Sequence, residues 1–227
     1  MKVIVIGRSA EVWDEVAAAK LLTKFDKVVA VNVAGQDYPE QVDYWVSFHP
    51  NFFEMWIRKR LKKGLPYSTE TTQLWSGTNN GKRLGARTLR ELVRYANYFG
   101  GSSGLIATRV AVDHVKGDKV VLCGIPMENT KRYDDQRNWR EALMYRDAWL
   151  SVMPLLKPYV RSMSGWTREQ FGEPTKEWLD EIVPEEERIV GEGSAEQDAG
   201  QSLGQGSIRD QPVRQDLDLS VDGQAGG

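Results

Sequence analysis

Gly100-Gly101-Ser102-Ser103-Gly104-Leu105-Ile106-Ala107-Thr108-Arg109-Val110-Ala111-Val112-Asp113-His114-Val115-Lys116-Gly117-Asp118-Lys119-Val120-Val121-Leu122-Cys123-Gly124-Ile125-Pro126-Met127 decides the fold class. A loop of small residues opens an apolar helix, and Gly117 closes it. Lys119–Cys123 follows as a buried strand that ends in Gly124. The loop places backbone N–H groups and two hydroxyls at a helix N-terminus, a natural place for an anion. A loop–helix–strand–Gly unit suits a phosphate-bearing ligand at the edge of a parallel sheet.

The same grammar runs outward from this unit. Lys2–Ile6 is an apolar run that stops at Gly7, and Ser9 is placed to cap the next helix. Trp13, Val16, Ala17 and Leu21 fall at helical spacing. Lys27–Val31 is a second strand ending in Asn32, and Tyr44–Phe48 is a third ending in His49-Pro50. A helix from Pro50 to about Lys63 is closed by Gly64 and Pro66. Thr71–Trp75 forms a fourth strand, and 76–86 is a Gly/Asn-rich loop. Thr88-x-x-Glu91 is a capping box, yet 93–99 also reads as strand, and both readings stay open. Glu128–Asn138 is a polar, mobile connection. Trp139 to Leu150 is a helix with Trp139, Leu143 and Leu150 on one side. Tyr159–Met163 is the last strand, and Thr175–Ile182 a terminal helix. Continuously apolar strands alternating with helices predict an α/β fold: a single Rossmann-like domain over 1–183 with a mostly parallel sheet.

Residues 191–227 carry eight glycines, seven acids, two arginines and no aromatic residue. The whole chain is −2, which leaves residues 1–190 at about +3. Such a tail buries too little surface to offset its chain entropy, so 184–227 reads as an acidic disordered tail. A nearly neutral body argues against a nucleic-acid partner. The basic run Arg58-Lys59-Arg60 with Lys62-Lys63 reads as the solvated face of an amphipathic helix. Cys123 is a lone, buried core residue. No apolar run is long enough for a signal peptide or a membrane span, so a cytoplasmic protein is expected.

In a parallel sheet ligands lie at the C-terminal strand ends. Here those ends are Gly7-Arg8-Ser9, Asn32, His49, Gly124-Ile125-Pro126 and Ser164-Gly165. The first turn is not G-x-G-x-x-G, and no acid ends the second strand, so a classical NAD site is not expected. Glu11 and Asp14 would repel a phosphate, which makes Gly7–Ser9 a better neighbour for a ribose, base or sugar. Asn32 suits a base or hydroxyl, or a local backbone bond. Ser102, Ser103 and Gly104 are the strongest ligand candidates, with helix capping by Ser103 as a compatible role. His49 is a candidate general base or, equally, a satisfied structural residue, whereas His114 reads as structural. Tyr133, Asp134, Asp135 and Tyr145 lie in or just after the polar connection, where paired acids could hold Mg²⁺ with a nucleotide.

Four islands resemble the Rossmann-like bacterial sialyltransferases that use CMP-sialic acid, and the related motility-accessory-factor and hydroxymethylpterin diphosphokinase families. They are Lys2-Val-Ile-Val-Ile-Gly-Arg-Ser9, Val29-Ala-Val-Asn32, Ser102-Ser103-Gly104 through Gly124-Ile125, and Val160–Gly165 with Phe171-Gly172-Glu173-Pro174. Short chains of this kind also resemble proteins of phage and prophage genomes. The resemblance implies nucleotide contact by Asn32, Ser103 and Gly104. The chain departs from that pattern in three places. The opening turn lacks a second Gly, Pro126 replaces an Asp, and no His lies between Glu128 and Tyr145. The expectation is a nucleotide or nucleotide-sugar binder of glycosyltransferase-like activity, with His49 or Tyr133–Tyr145 supplying the proton-transfer group. The alternatives are an Mg²⁺-dependent diphosphotransferase and a non-catalytic nucleotide-binding protein.

Overall fold

The described residues form nine strands: β1 (Lys2–Ile6), β2 (Lys27–Val31), β3 (Tyr44–Val46), β4 (Gln73–Ser76), β5 (Val93–Tyr95), β6 (Lys119–Cys123), the hairpin strands β7 (Lys131–Arg132) and β8 (Asp135–Asn138), and β9 (Val160–Ser162). This is a computed structural model, and it describes residues 1–77, 91–96, 98 and 101–182. Seven strands form one sheet in the order β5-β4-β3-β2-β1-β6-β9. Every pairing in it is parallel. The expected α/β fold with a parallel sheet is therefore present. The loop expected over 76–86 and the tail expected over 184–227 fall outside the described residues from 78 and 184 respectively.

Parallel strands covered on both faces must be apolar at every position. In β1, Val3 and Val5 enter one core cluster, and Ile4 and Ile6 the other; all four are fully buried. Each such burial is worth roughly 1.5–3 kcal/mol, against about 1–2 kcal/mol to order one residue's backbone. A strand this apolar gains most at the sheet's centre, which is where β1 lies.

One face carries α1 (Val12–Leu22), α2 (Ala34–Asp37) and α3 (Phe53–Lys62), the last entered through a 3-10 turn at Pro50–Phe52. The other carries α4 (Ser103–Arg109), α5 (Arg146–Leu156) and α6 (Gly165–Phe171). The short α7 (Lys176–Asp180) returns to the first face through Leu179. None of the described helices is long and apolar enough to cross a membrane.

Several local expectations change. Ser9 does not cap α1, because its carbonyl rather than its hydroxyl meets the helix start and accepts from Val12 N–H. The buried stripe of α1 is Val12, Glu15, Val16 and Ala19, and Leu21 is 89% exposed. The stripe turns because Glu15, a charged residue, is bonded inward. Residues 93–95 are strand, extending the sheet beyond β4. The segment 110–114 after α4 is a π-turn, and the left-handed residue that ends it is Lys116 rather than Gly117. Gly117 packs instead: a Cβ there would lie 2.7 Å from Val3 Cγ2. Glu128–Asn138 is not a structureless connection but holds the β7–β8 hairpin. The expected helix at Trp139 begins as a 3-10 turn, Arg140–Tyr145, and α5 buries Trp149 while Leu143 and Leu150 stay about half exposed.

The basic run of α3 is only partly a solvated face. Arg60 is fully buried. Its guanidinium donates to the carbonyls of Pro66 (2.7 Å), Gly35 (2.8 Å) and Tyr38 (2.6 Å), and to that of Glu40. Four carbonyl acceptors offset the desolvation of one cation. The His114 ring lies tilted 4.4 Å from that of Trp75, and burial lowers its pKa. Cys123 is fully buried, and burial pushes its thiol well up.

Candidate functional site

From β1 the chain steps outward through β2 to β5, then returns to the opposite side of β1 as β6. The sheet thus has a switch point between β1 and β6, where loops leave in opposite directions and open a crevice. Above those strand ends lies a crevice of about 560 Å³, a size suited to a small-molecule ligand. Gly7, Arg8, Ser9, Asn32, His49, Ser102, Ser103, Gly104, Gly124, Ile125 and Tyr145 all line it. Tyr133, Asp134, Asp135, Ser164 and Gly165 do not. The lining also includes Phe48, Met127, Arg132 and Trp139, which sequence reasoning did not single out as site residues.

The crevice floor is set by two glycines. A Cβ on Gly7 would lie 2.2 Å from Gly124 O, and one on Gly124 would lie 2.4 Å from Val12 Cγ2. Gly124 also has φ +69°, a conformation that costs other residues dearly. The turn's amides are all committed. Gly7 N–H donates to Cys123 O (2.7 Å), and the N–H groups of Arg8 and Ser9 donate to Gly124 O (2.9 and 3.1 Å). Gly124 N–H donates to Glu15 Oε2 at 2.7 Å. Burial raises the Glu15 carboxyl's pKa, and this N–H opposes the rise. The first turn therefore offers a ligand side chains, not a nest of free amides.

The opposite wall differs. Ser102, not Ser103, caps α4: its Oγ accepts Leu105 N–H at 3.3 Å. Ser103 Oγ accepts Phe48 N–H at 3.0 Å and ties α4 to the end of β3. The amides of Ser103 and Gly104 bond to no described residue, as the first turn of a helix allows. Gly104 lets Ile125 come close; a Cβ would lie 3.0 Å from Ile125 Cγ2.

Asn32 occupies the left-handed region, φ 52°, at the end of β2. Its Oδ1 accepts from Ser47 Oγ (2.7 Å), and that hydroxyl in turn accepts His49 N–H (2.9 Å). Its backbone carbonyl accepts Trp45 Nε1–H at 2.6 Å. The Asn32 Oδ1 is thus bonded to a side chain of the next strand's end rather than to local backbone, and the amide NH₂ bonds to no described residue. The His49 ring sits edge-on between Phe48 and Phe52, at 5.9 and 6.2 Å.

The hairpin forms the outer wall. Asp134 binds Arg8 through Nε at 2.6 Å and again through Nη2. Asp135 accepts Arg137 Nε at 3.0 Å on each oxygen and lies 3.6 Å from Arg132; the Arg137 guanidinium holds its carboxyl well below the usual range. Tyr133 OH donates to Asp37 at 2.7 Å and packs on Trp13. Burial and that carboxylate drive its pKa far up. Ser164 stands beside Glu15 rather than the crevice. Gly165, φ +62°, makes room for Pro126, whose Cβ would be 2.4 Å from a Cβ there. Among the described residues no group of three or more His, Cys, Asp and Glu side chains is gathered to hold a metal ion.

No family model matches the sequence, and no curated protein matches it. Two solved structures are similar to it. The sialyltransferase CST-II, solved with a trisaccharide acceptor and CMP, is 13% identical, with TM-score 0.47 over 84% of this chain and 98% of that one. A point variant of the α-2,3/8-sialyltransferase CstII is 12% identical, with TM-score 0.46 over 84% and 99%.

Proposed function

We propose that this crevice binds a nucleotide or nucleotide-sugar, and that the protein is a glycosyltransferase-like enzyme. One observation carries the reading: at the switch point the crevice gathers hydrogen-bond donors, while the acids nearby are already satisfied. The Asn32 NH₂, the amides of Ser103 and Gly104, and the side chains of Ser9 and Arg132 come from separate segments. Asp134 is held by Arg8, Asp135 by Arg137, and Glu15 by Gly124 N–H. A donor-rich, acid-poor crevice suits a polyhydroxylated anion. It does not suit Mg²⁺, which needs carboxylates to spare, so the diphosphotransferase reading loses its support.

In glycosyl transfer the leaving group is a nucleoside phosphate. Negative charge grows on it as the bond to the sugar breaks. Donors fixed before the reaction stabilise that charge without reorganising. The Ser103–Gly104 amides are fixed by the Ser102 cap. His49 and Tyr145 are the proposed sites of proton transfer, since both line the crevice. Tyr133 is withdrawn by its bond to Asp37. The absence of a His from 128 to 145 favours a second reading, binding without catalysis.

A thermal-shift screen of the full chain against nucleotides and nucleotide-sugars tests the proposal. A ligand at 100 times its Kd is expected to stabilise the fold by about 2.7 kcal/mol. Asn32→Ala is expected to weaken the hit by about 0.5–1.5 kcal/mol in calorimetry, with the melting curve little changed. No shift with any compound would remove the proposal. Binding without donor hydrolysis or transfer would select the second reading.

A further inference from the structure

We propose that Arg132 and Ser9 form an oxyanion subsite within the crevice, which receives the phosphate of the bound nucleotide. The phosphate assignment rests on the nucleotide reading above; the subsite itself does not. Ser9 and Arg132 are partners across an isolated antiparallel bridge. The bonds Ala10 N–H to Lys131 O (3.0 Å) and Tyr133 N–H to Arg8 O (3.2 Å) flank it. Residues directly opposite in such a pair carry their side chains on one face, with Cβ atoms about 5 Å apart. Here both residues line the crevice.

Neither side chain makes a hydrogen bond to any described residue. Ser9 is only 5% exposed, and its Oγ bonds to no described residue. The Arg132 side chain is 26% exposed. Its guanidinium makes no hydrogen bond to any described residue. Its one ion pair among the described residues, to Asp135, is 3.6 Å long, and Arg137 already occupies both oxygens of that carboxylate. Every other arginine of the outer wall has an acceptor: Arg8 has Asp134, and Arg137 has Asp135. Burial and the neighbouring Arg8 lower the Arg132 pKa, and the carboxylates of Asp135, Glu141 and Asp134 oppose that shift.

A guanidinium offers two parallel N–H groups to one oxyanion, and a hydroxyl beside it gives a third donor. One oxyanion between them would satisfy both side chains at once. The donor chemistry fits a phosphate or a sugar carboxylate. We assign the phosphate on the nucleotide reading above, in which the leaving group is a nucleoside phosphate. The committed amides of Gly7, Arg8 and Ser9 leave this pair as the only anion-binding group of the first turn among the described residues.

The test uses the full-length protein and follows the Arg132 Nε–Hε cross-peak by NMR, assigned through its loss in Arg132→Gln. Inorganic phosphate, acetate, cytidine and cytidine monophosphate are titrated separately. Phosphate is expected to move the cross-peak, and cytidine monophosphate to bind more tightly than cytidine. Arg132→Gln is expected to weaken phosphate binding about 10- to 100-fold, and Ser9→Ala about 2- to 10-fold. Arg132→Lys keeps the charge without the fork and should fall between. If Arg132→Gln does not fold, Ser9→Ala and Arg132→Lys carry the test. A cross-peak unmoved by phosphate and acetate, or wild-type phosphate affinity in the variants, overturns the subsite. Acetate acting while phosphate does not overturns the phosphate assignment. Phosphate acting while no nucleoside or nucleotide gains over it upholds the subsite and removes the nucleotide reading.

Discussion

Arg60→Ala is expected to destabilise the fold by about 3–5 kcal/mol, a large share of a domain's total stability. The loss has two sources. Four carbonyls, of Gly35, Tyr38, Glu40 and Pro66, lose their donor, and each buried acceptor left unpaired costs about 1–3 kcal/mol unless water reaches it. The vacated volume adds a cavity. Arg60→Lys is expected to recover little, because one ammonium cannot reach acceptors spread around a planar fork. Urea denaturation of the three proteins checks this. A loss under 1 kcal/mol in Arg60→Ala would show that water replaces the guanidinium. The effect also bears on the crevice, because α2 and Tyr38, held by this arginine, follow Asn32 directly in the chain.

Gly124→Ala is expected to cost about 3 kcal/mol or more and to abolish ligand binding in the crevice. The left-handed backbone alone costs roughly 1–2 kcal/mol for alanine. The methyl would also meet Val12 Cγ2 at 2.4 Å and Val12 Cβ at 2.7 Å, and overpacking adds about 1–3 kcal/mol. Gly64→Ala is the control. Gly64 has φ +71° but nothing within 4 Å of a Cβ, so its cost should be the backbone part alone. Thermal melts of both variants separate the two contributions. Equal losses would mean that the β1–β6 junction relaxes freely, and that its close packing does not shape the crevice.

Much of this fold is legible in the chain. Lys2–Ile6, Lys27–Val31 and Lys119–Cys123 are apolar at nearly every position, and only a parallel sheet covered twice accepts such strands. Their glycine and asparagine ends are legible too, because a chain leaving a buried strand must turn sharply. Charged residues turned inward are harder to read. Arg60 and Glu15 look like surface residues in a helix, and their burial depends on acceptors and donors far away in sequence: Gly35, Tyr38 and Glu40 for one, Gly124 for the other. The β7–β8 hairpin is invisible for a related reason. Its strands are polar and short, and it is held by Ser9, Arg8 and Asp37 from other segments. Arg132 enters the crevice only through that hairpin. Ser102 and Ser103 are adjacent hydroxyls, and local sequence could not say which one caps α4; the Phe48 N–H, from β3's end, draws Ser103 away.

The central claim is that one ligand spans the switch point, touching the ends of β1 and β2 and the start of α4. Amide chemical-shift mapping of the full chain with the best nucleotide from the screen tests it most directly. The expected result is that the largest shifts fall on Ser103 and Gly104, the Asn32 side-chain NH₂ and Ser9, with His114 unmoved. Shifts confined to another surface, or absent at Asn32 and Ser103 while the nucleotide binds, would contradict the account.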